Sequence, residues 1–178
     1  LAYGDWQRDY GRWLVESLGW HGKRVLDVGC ACRAVLRGLT EAGASVHGVD
    51  INEYMIALGR AEWPELAEKL VVCDAVNVHP FPDAGFDGVH AAQGGGEWKA
   101  ELAPYILQEL ARVTGSGGLL FWSLDRDVNR QPMSCWHEQL KGAGWEACSA
   151  DFEAALRRHP ESFLSRYQWD WLVARRRT

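Results

Sequence analysis

The residues best suited to hold a ligand lie in two short runs, Val25-Leu26-Asp27-Val28-Gly29-Cys30-Ala31-Cys32-Arg33 and Ser45-Val46-His47-Gly48-Val49-Asp50. In the first, an apolar strand (Arg24 to Val28) runs into a turn at Gly29 and then a helix (about Arg33 to Ala42). In the second, another apolar strand ends on an acid. That is half of a nucleotide-binding α/β unit. A glycine just past a strand lets a ligand approach the backbone closely. The N-terminus of the next helix offers N–H groups, and a carboxylate ending the second strand can accept hydrogen bonds from two ribose hydroxyls. The expected ligand is therefore a nucleoside, with Asp50 on its ribose and Ile51 beside it.

Two families share this plan. A dinucleotide-binding fingerprint runs G-x-G-x-x-G, usually with an apolar residue two positions before its first glycine. Here that position is Asp27. An acid there resembles the D/E-x-G-x-G-x-G motif of class I S-adenosylmethionine-dependent methyltransferases, where it lies near the cofactor's methionine end. The resemblance runs from Val25 to Phe121. Val71-Val72-Cys73-Asp74-Ala75 is similar to the family's third strand with its adenine-binding acid. Pro80-Phe81-Pro82-Asp83 with Phe86-Asp87 resembles its approach to strand four, and Leu110 to Leu120 resembles its helix and glycine turn into strand five. The resemblance implies an α/β Rossmann-like three-layer sandwich on a mostly parallel seven-stranded sheet, ordered 3-2-1-4-5-7-6, with a C-terminal antiparallel hairpin. It implies S-adenosylmethionine as cofactor, held by Asp27, Gly29, Asp50, Ile51, Asp74 and Ala75, with Ala31 and Arg33 in the same turn; Gln93, at the C-terminal end of strand four where ligands collect in open α/β sheets, is a further contact for cofactor or substrate.

Ala31 and Arg33 stand where the family usually has its second and third glycines. A methyl at Ala31 is tolerable in a slightly wider turn with ordinary backbone dihedrals. Arg33, in the first helical turn, can pair with a cofactor carboxylate, face solvent or fill part of the pocket. The family's enzymes for amide or nucleobase nitrogens commonly carry N/D-P-P-Y/F after strand four, whereas this chain has Ala92-Gln93-Gly94-Gly95. A small-molecule acceptor is the expected partner. Methyl transfer from a sulfonium is an in-line displacement with a neutral leaving group, so alignment dominates and a base is needed only for an acceptor that carries a proton. Candidate bases are His90, His137, His159 and Asp125, although His90, inside an apolar strand, reads more readily as a hydrogen-bonded core histidine than as a catalyst. The alternatives kept open are a methyltransferase-like binding or regulatory protein and a nicotinamide-dependent oxidoreductase. Asp27 and Asp74 disfavour the latter.

The chain has 178 residues, 47% hydrophobic, with net charge −5. That length suits one domain (1–178), divided into an N-terminal cap helix (1–20), a cofactor-binding core (24–124) and a C-terminal helix and hairpin (125–178). The negative balance gives no basic field for nucleic acid, and Arg175-Arg176-Arg177 reads as a solvated tail. No apolar run approaches the roughly 20 residues of a membrane span, and no leader is evident, so the expected setting is cytoplasmic. The five cysteines are odd in number and scattered, which reads as free thiols; Cys30-x-Cys32 is too tight for an ordinary zinc site, and no metal is expected. The ten tryptophans read as core or interface anchors, or as pocket walls.

These residues need elements to position them. Trp6, Tyr10, Trp13, Leu14 and Leu18 recur at helical spacing, giving a helix over about Asp5 to Leu18 whose apolar face packs on the sheet. The resemblance adds that Trp6 or Tyr10 can reach the substrate cleft. Further helices are expected over Glu53–Ala61, with Tyr54, Met55 and Leu58 inward, over Lys99–Val113, with Leu102, Ile106, Leu107 and Leu110 inward, and over Ser134–Gly142. Gly115–Gly118 is expected to break the chain before strand five. The last strands are placed at Trp145–Asp151 and Arg166–Arg175. Between them Arg157, Arg158 and His159 either face water or meet an acidic substrate.

Overall fold

The computed structural model describes residues 3–31, 34–91, 100–125, 131–158 and 169–178. Strands β1 (Arg24–Val28), β2 (Ser45–Asp50), β3 (Leu70–Val72), β4 (Phe86–Ala91), β5 (Thr114–Asp125), β6 (Trp145–Ala147) and β7 (Trp169–Arg176) form one seven-stranded sheet ordered β3-β2-β1-β4-β5-β7-β6. The first five are parallel neighbours, and β7 runs antiparallel to both β5 and β6. This is the expected order and hairpin. Val25 and Val46 are buried among the helices of one face, Leu26, Val28 and Val49 among those of the other, as a two-sided sheet requires.

Helix α1 (Tyr3–Leu18) covers the first face together with α2 (Val35–Glu41) and α3 (Glu53–Glu62). The contact of α1 with α2 is backbone-close. A Cβ on Gly11 would lie 2.5 Å from the Val35 carbonyl oxygen, and one on Gly38 would lie 2.2 Å from that of Arg8. Around this crossing Arg8, Arg12 and Arg37 all bond Glu41. Burial raises the pKa of that carboxyl, but the hydrogen bonds from the three guanidiniums outweigh it and hold it below its usual value. Helices α4 (Ala103–Val113) and α5 (Met133–Gly142) cover the other face through Ile106, Leu107, Leu110, Trp136 and Leu140. Arg112 of α4 bonds Glu109, Asp83 and the carbonyls of Phe81 and Val78, fixing the approach to β4.

Several local expectations are corrected. Tyr54 and Leu58 of α3 are exposed, and Ile56 and Gly59 face the sheet instead. The Asn52 side chain, accepting from the Tyr54 and Met55 N–H groups, sets the phase of that helix. Leu102 precedes α4 in a 3₁₀ turn and is exposed. Strand β3 stops at Val72, before Cys73-Asp74-Ala75. The glycines 115–118 lie within β5 but bulge from its ladder, since Phe86 pairs with Thr114 and Gly88 with Leu119. Strand β6 ends at Ala147 because the Ser149 hydroxyl takes the Val173 N–H, and α6 (Ser149–Leu156) begins there. Arg175 and Arg176 are not a solvated tail. They end β7, with Arg176 donating to the Ala111 and Gly144 carbonyls, the former left without an intrahelical partner at the end of α4.

Among the described residues, no helix is long and apolar enough to cross a membrane, and no cluster of His, Cys, Asp and Glu is arranged to hold a metal. Cys30, Cys73, Cys135 and Cys148 are free thiols. Trp13, Trp20, Trp63, Trp122, Trp136 and Trp145 are buried in the core.

Candidate cofactor and acceptor site

The carboxyl ends of β1, β2 and β3 lie side by side, the place where open α/β sheets bind ligands. Gly29 takes a left-handed backbone (φ 72°), and its N–H and that of Cys30 both donate to the Val49 carbonyl, bending the chain over the end of β2. Cys30 then sits beneath Gly48, where a Cβ would meet its sulfur at 2.8 Å. Ala31 corrects the expectation of ordinary dihedrals. Its φ is +47°, the conformation a glycine would adopt freely and an L-residue adopts at a cost. The turn thus takes a glycine-like shape at a residue that has a Cβ.

Asp50 holds that turn. One carboxylate oxygen accepts from the Ala31 N–H at 2.8 Å and the other from the Asn52 N–H at 2.9 Å. Each oxygen retains acceptor capacity, so the two bonds aim the carboxylate without exhausting it. Next to it Ile51 is 68% exposed, an apolar side chain open to solvent at the end of β2. Asp74 follows β3, and its side chain accepts from the Val76 N–H at 3.0 Å, while Ala75 is nearly buried beside it. The donor set therefore fits an adenosine moiety: a carboxylate for vicinal hydroxyls, an exposed apolar surface for a flat ring, and an acid with a backbone amide beyond it.

Asp27, His90 and Tyr10 come together, although the sequence assigned them to three different roles. Asp27 of β1 and His90 of β4 are register partners, and His90 Nδ1 lies 2.7 Å from the Asp27 carboxylate. The Tyr10 hydroxyl lies 3.0 Å from His90 Nε2. All three are buried, at 3%, 2% and 5% exposure. Burial, with the Asp27 charge adding to it, holds the Tyr10 hydroxyl well above its usual pKa. Trp13 stacks on Tyr10 with centroids 5.5 Å apart, and Phe121 stacks on His90 at 5.9 Å.

The other candidates are separate from this group. Trp6 packs against the core at the edge of α1. His137 is exposed on α5, which covers the opposite face of the sheet from α1. Asp125 is the last residue of β5. Arg157 and Arg158 are exposed, with Arg157 paired to Glu153. Arg33, Gln93 and His159 lie outside the described residues. Gln7 was not foreseen: buried on α1 three residues before Tyr10, it accepts at 3.3 Å from the Ala34 N–H at the start of α2. The signal was available, because an amide in the apolar stripe of an amphipathic helix needs a buried partner.

Residues 26–122 match the family model described as a methyltransferase domain. Over 127 residues the chain is 31% identical to a malonyl-[acyl-carrier protein] O-methyltransferase of Halorhodospira halophila, a match covering 70% of this chain and 42% of that protein. Its matches span between 28% and 51% of the length of the first curated relatives. Among solved structures, a magnesium protoporphyrin IX methyltransferase of Synechocystis PCC 6803 superposes with TM-score 0.72 at 20% identity, covering 97% of this chain and 80% of that one. The [4+2]-cyclase SpnF superposes with TM-score 0.71, also at 20% identity, covering 96% and 82%.

Proposed function

The chain belongs to the methyltransferase-domain family, and from that premise we propose that it transfers a methyl group from S-adenosylmethionine to a small-molecule acceptor. The observation that carries this reading is Asp50, aimed by two backbone N–H groups beside an exposed Ile51 at the end of β2. Asp50 receives the ribose hydroxyls, Ile51 packs on the adenine, and Asp74 with the Ala75 amide reads the adenine edge. Gly29 and Ala31 shape the turn against which the methionine part lies, with Asp27 beneath it. When bound, the cofactor supplies a methyl on a sulfonium, whose departure as a neutral thioether needs no acid. The protein's own task is then to align the acceptor with that carbon and exclude water. Alignment of this kind contributes about 7–11 kcal/mol at the ideal limit. We read the whole chain as one such unit, with no role for nucleic acid.

Titration calorimetry with S-adenosylhomocysteine tests the reading. Wild type binds it and does not bind NAD, and Asp50→Ala, with its fold checked by circular dichroism, loses at least about 1.5 kcal/mol, the low end for hydrogen bonds to a charged group. An unchanged dissociation constant refutes the assignment. A second reading, a cofactor-binding protein without transferase activity, is favoured by Ala31, and a fold alone does not decide chemistry. It predicts normal binding with no S-adenosylhomocysteine produced from S-adenosylmethionine across small acceptors.

A further inference from the structure

A cavity of about 230 Å³ opens at the amino ends of β1, β4 and β5, the opposite end of the sheet from Asp50. Leu18, Trp20 and Leu119 give it an apolar wall, and Lys23, Asp87 and the run Gly115 to Gly118 give it a polar one. The cofactor reading uses none of these residues.

The bulge in β5 builds this cavity. Between the pairs Phe86–Thr114 and Gly88–Leu119, β4 has only Asp87 while β5 has the whole run Gly115 to Gly118, where an ordinary bulge adds a single residue to one strand. Gly118 pins the end of the loop to its neighbours, since a Cβ there would lie 2.5 Å from Thr114 Cγ2 and 2.8 Å from the Asp87 carbonyl oxygen. Gly117 stands free of such contacts. Its φ is +77°, and a Cβ on it would meet nothing within 4 Å. A ligand can therefore approach the backbone of the loop closely.

The charges lining the cavity are opposite and unmatched. Lys23 and Asp87 form no ion pair with each other. One Asp87 oxygen accepts from the Arg24 N–H at 2.8 Å, which fixes the carboxylate and leaves its other oxygen open. Trp20 is 2% exposed, and its indole N–H has no partner among the described residues. The ring edge that carries this N–H lies over Gly88, which follows Asp87 in the chain and is the register partner of Leu119. A buried donor without an acceptor requires a reason.

We propose that this cavity binds a small zwitterion with an apolar side chain, a free α-amino acid. An anion drawn to Lys23 is repelled by Asp87, and a cation drawn to Asp87 is repelled by Lys23. A neutral apolar molecule would desolvate both charges and pair neither. An amino acid answers both at once, its ammonium donating to Asp87 and its carboxylate accepting from Lys23. Its side chain packs on Leu18, Trp20 and Leu119. The size agrees, because pockets for drug-sized ligands run to about 300–1,000 Å³ and this one is smaller.

The test is a two-dimensional ¹H–¹⁵N NMR titration of the full chain with L-leucine at neutral pH, set beside leucinamide, which lacks the carboxylate, and 4-methylpentanoate, which lacks the ammonium. Leucine is expected to shift the amides of Gly115, Gly117 and Gly118 and the Trp20 indole N–H saturably, and both truncated ligands to bind at least about ten-fold more weakly, the low end for a hydrogen bond to a charged group. Lys23→Met and Asp87→Asn should each weaken leucine to the same degree. Asparagine keeps an oxygen for the Arg24 N–H; should that variant nevertheless lose its dispersed spectrum, Lys23→Met, at an exposed position, carries the comparison. The absence of saturable shifts, equal binding of all three ligands, undiminished binding by the variants, or shifts centred on the Gly29 amide of the cofactor turn overturns the proposal.

Discussion

Replacing Ala31 by glycine should reveal how much strain the cofactor turn stores. A left-handed conformation costs an L-residue about 1–2 kcal/mol, and Ala31 adopts it at φ +47°. The substitution relieves that strain but also removes a buried methyl, worth about 0.8 kcal/mol, and frees the unfolded chain by about 0.4–1 kcal/mol. The net change is therefore close to zero, and by itself uninformative. Ala34 supplies the reference. It is a buried alanine three residues on, with an ordinary right-handed backbone at φ −67°. Ala34→Gly suffers both losses and has no left-handed backbone to relieve; the gain of a glycine at this N-cap position of α2 only narrows the gap, so the difference between the two variants is a lower bound on the strain. Ala31→Gly should be more stable than Ala34→Gly by about 1–2 kcal/mol. Urea unfolding followed by tryptophan fluorescence measures this as a difference in midpoint at constant m-value. Equal destabilisation of the two variants refutes the reasoning, because the turn would then hold no strain at residue 31.

Asp74→Asn keeps an oxygen for the Val76 N–H but drops the charge, so adenosine-containing ligands should bind about 1 kcal/mol more weakly at unchanged stability; lowered stability with unchanged affinity for S-adenosylhomocysteine leaves Asp74 as a turn cap alone. Gly38→Ala drives a methyl into the Arg8 backbone, which cannot swing aside, and should cost about 3 kcal/mol, the upper end for overpacking. A midpoint within error of wild type would show that α1 slides freely over α2. Hydrogen bonds from Arg112 hold the Glu109 carboxyl below its usual pKa. A carboxyl with its pKa lowered by folding adds stability above its unfolded pKa and loses it as pH falls through the folded value. Wild type should therefore lose more stability than Arg112→Met between neutral pH and the acid side of the carboxylate range, and parallel pH–stability curves would count against the pair.

The parallel half of the sheet was legible because its signals are local. Strands at Arg24–Val28 and Ser45–Asp50 announce themselves as short apolar runs closed by Gly29 and Asp50, and their bounds match the structure. What the sequence misplaced depends on partners remote in the chain. Nothing near Ser149 says that its hydroxyl will take the Val173 N–H, so the run from Trp145 to Asp151 looks like one strand when only three of its residues are. The inward turn expected of Tyr54 and Leu58 rested on hydropathy, whereas the Asn52 cap and the position of α3 near the β3 edge leave a narrow buried stripe at Ile56 and Gly59. Arg176 read as tail because charge says nothing of which orphan carbonyl a guanidinium will find.

The site divides along the same line. Glycine, acid and spacing name the ends of β1 and β2 without any tertiary knowledge, since a nucleoside contacts consecutive strand ends and each carries its own mark. The buried Tyr10–His90–Asp27 group carries none. Asp27 and His90 are 63 positions apart and Tyr10 and His90 are 80 apart, so only the pairing of β4 with β1 and the seating of α1 bring them into line. One trace of it was nevertheless present: His90 sits in an apolar strand, and a buried imidazole needs partners for both nitrogens. A search for those partners among polar residues on the elements packed against β4 reduces to Asp27 on β1, Thr114 and Ser123 on β5, and Gln7 and Tyr10 on the apolar stripe of α1. Buried polar residues in otherwise apolar stripes thus carry long-range information that hydropathy alone discards, because each must be satisfied by another of its kind.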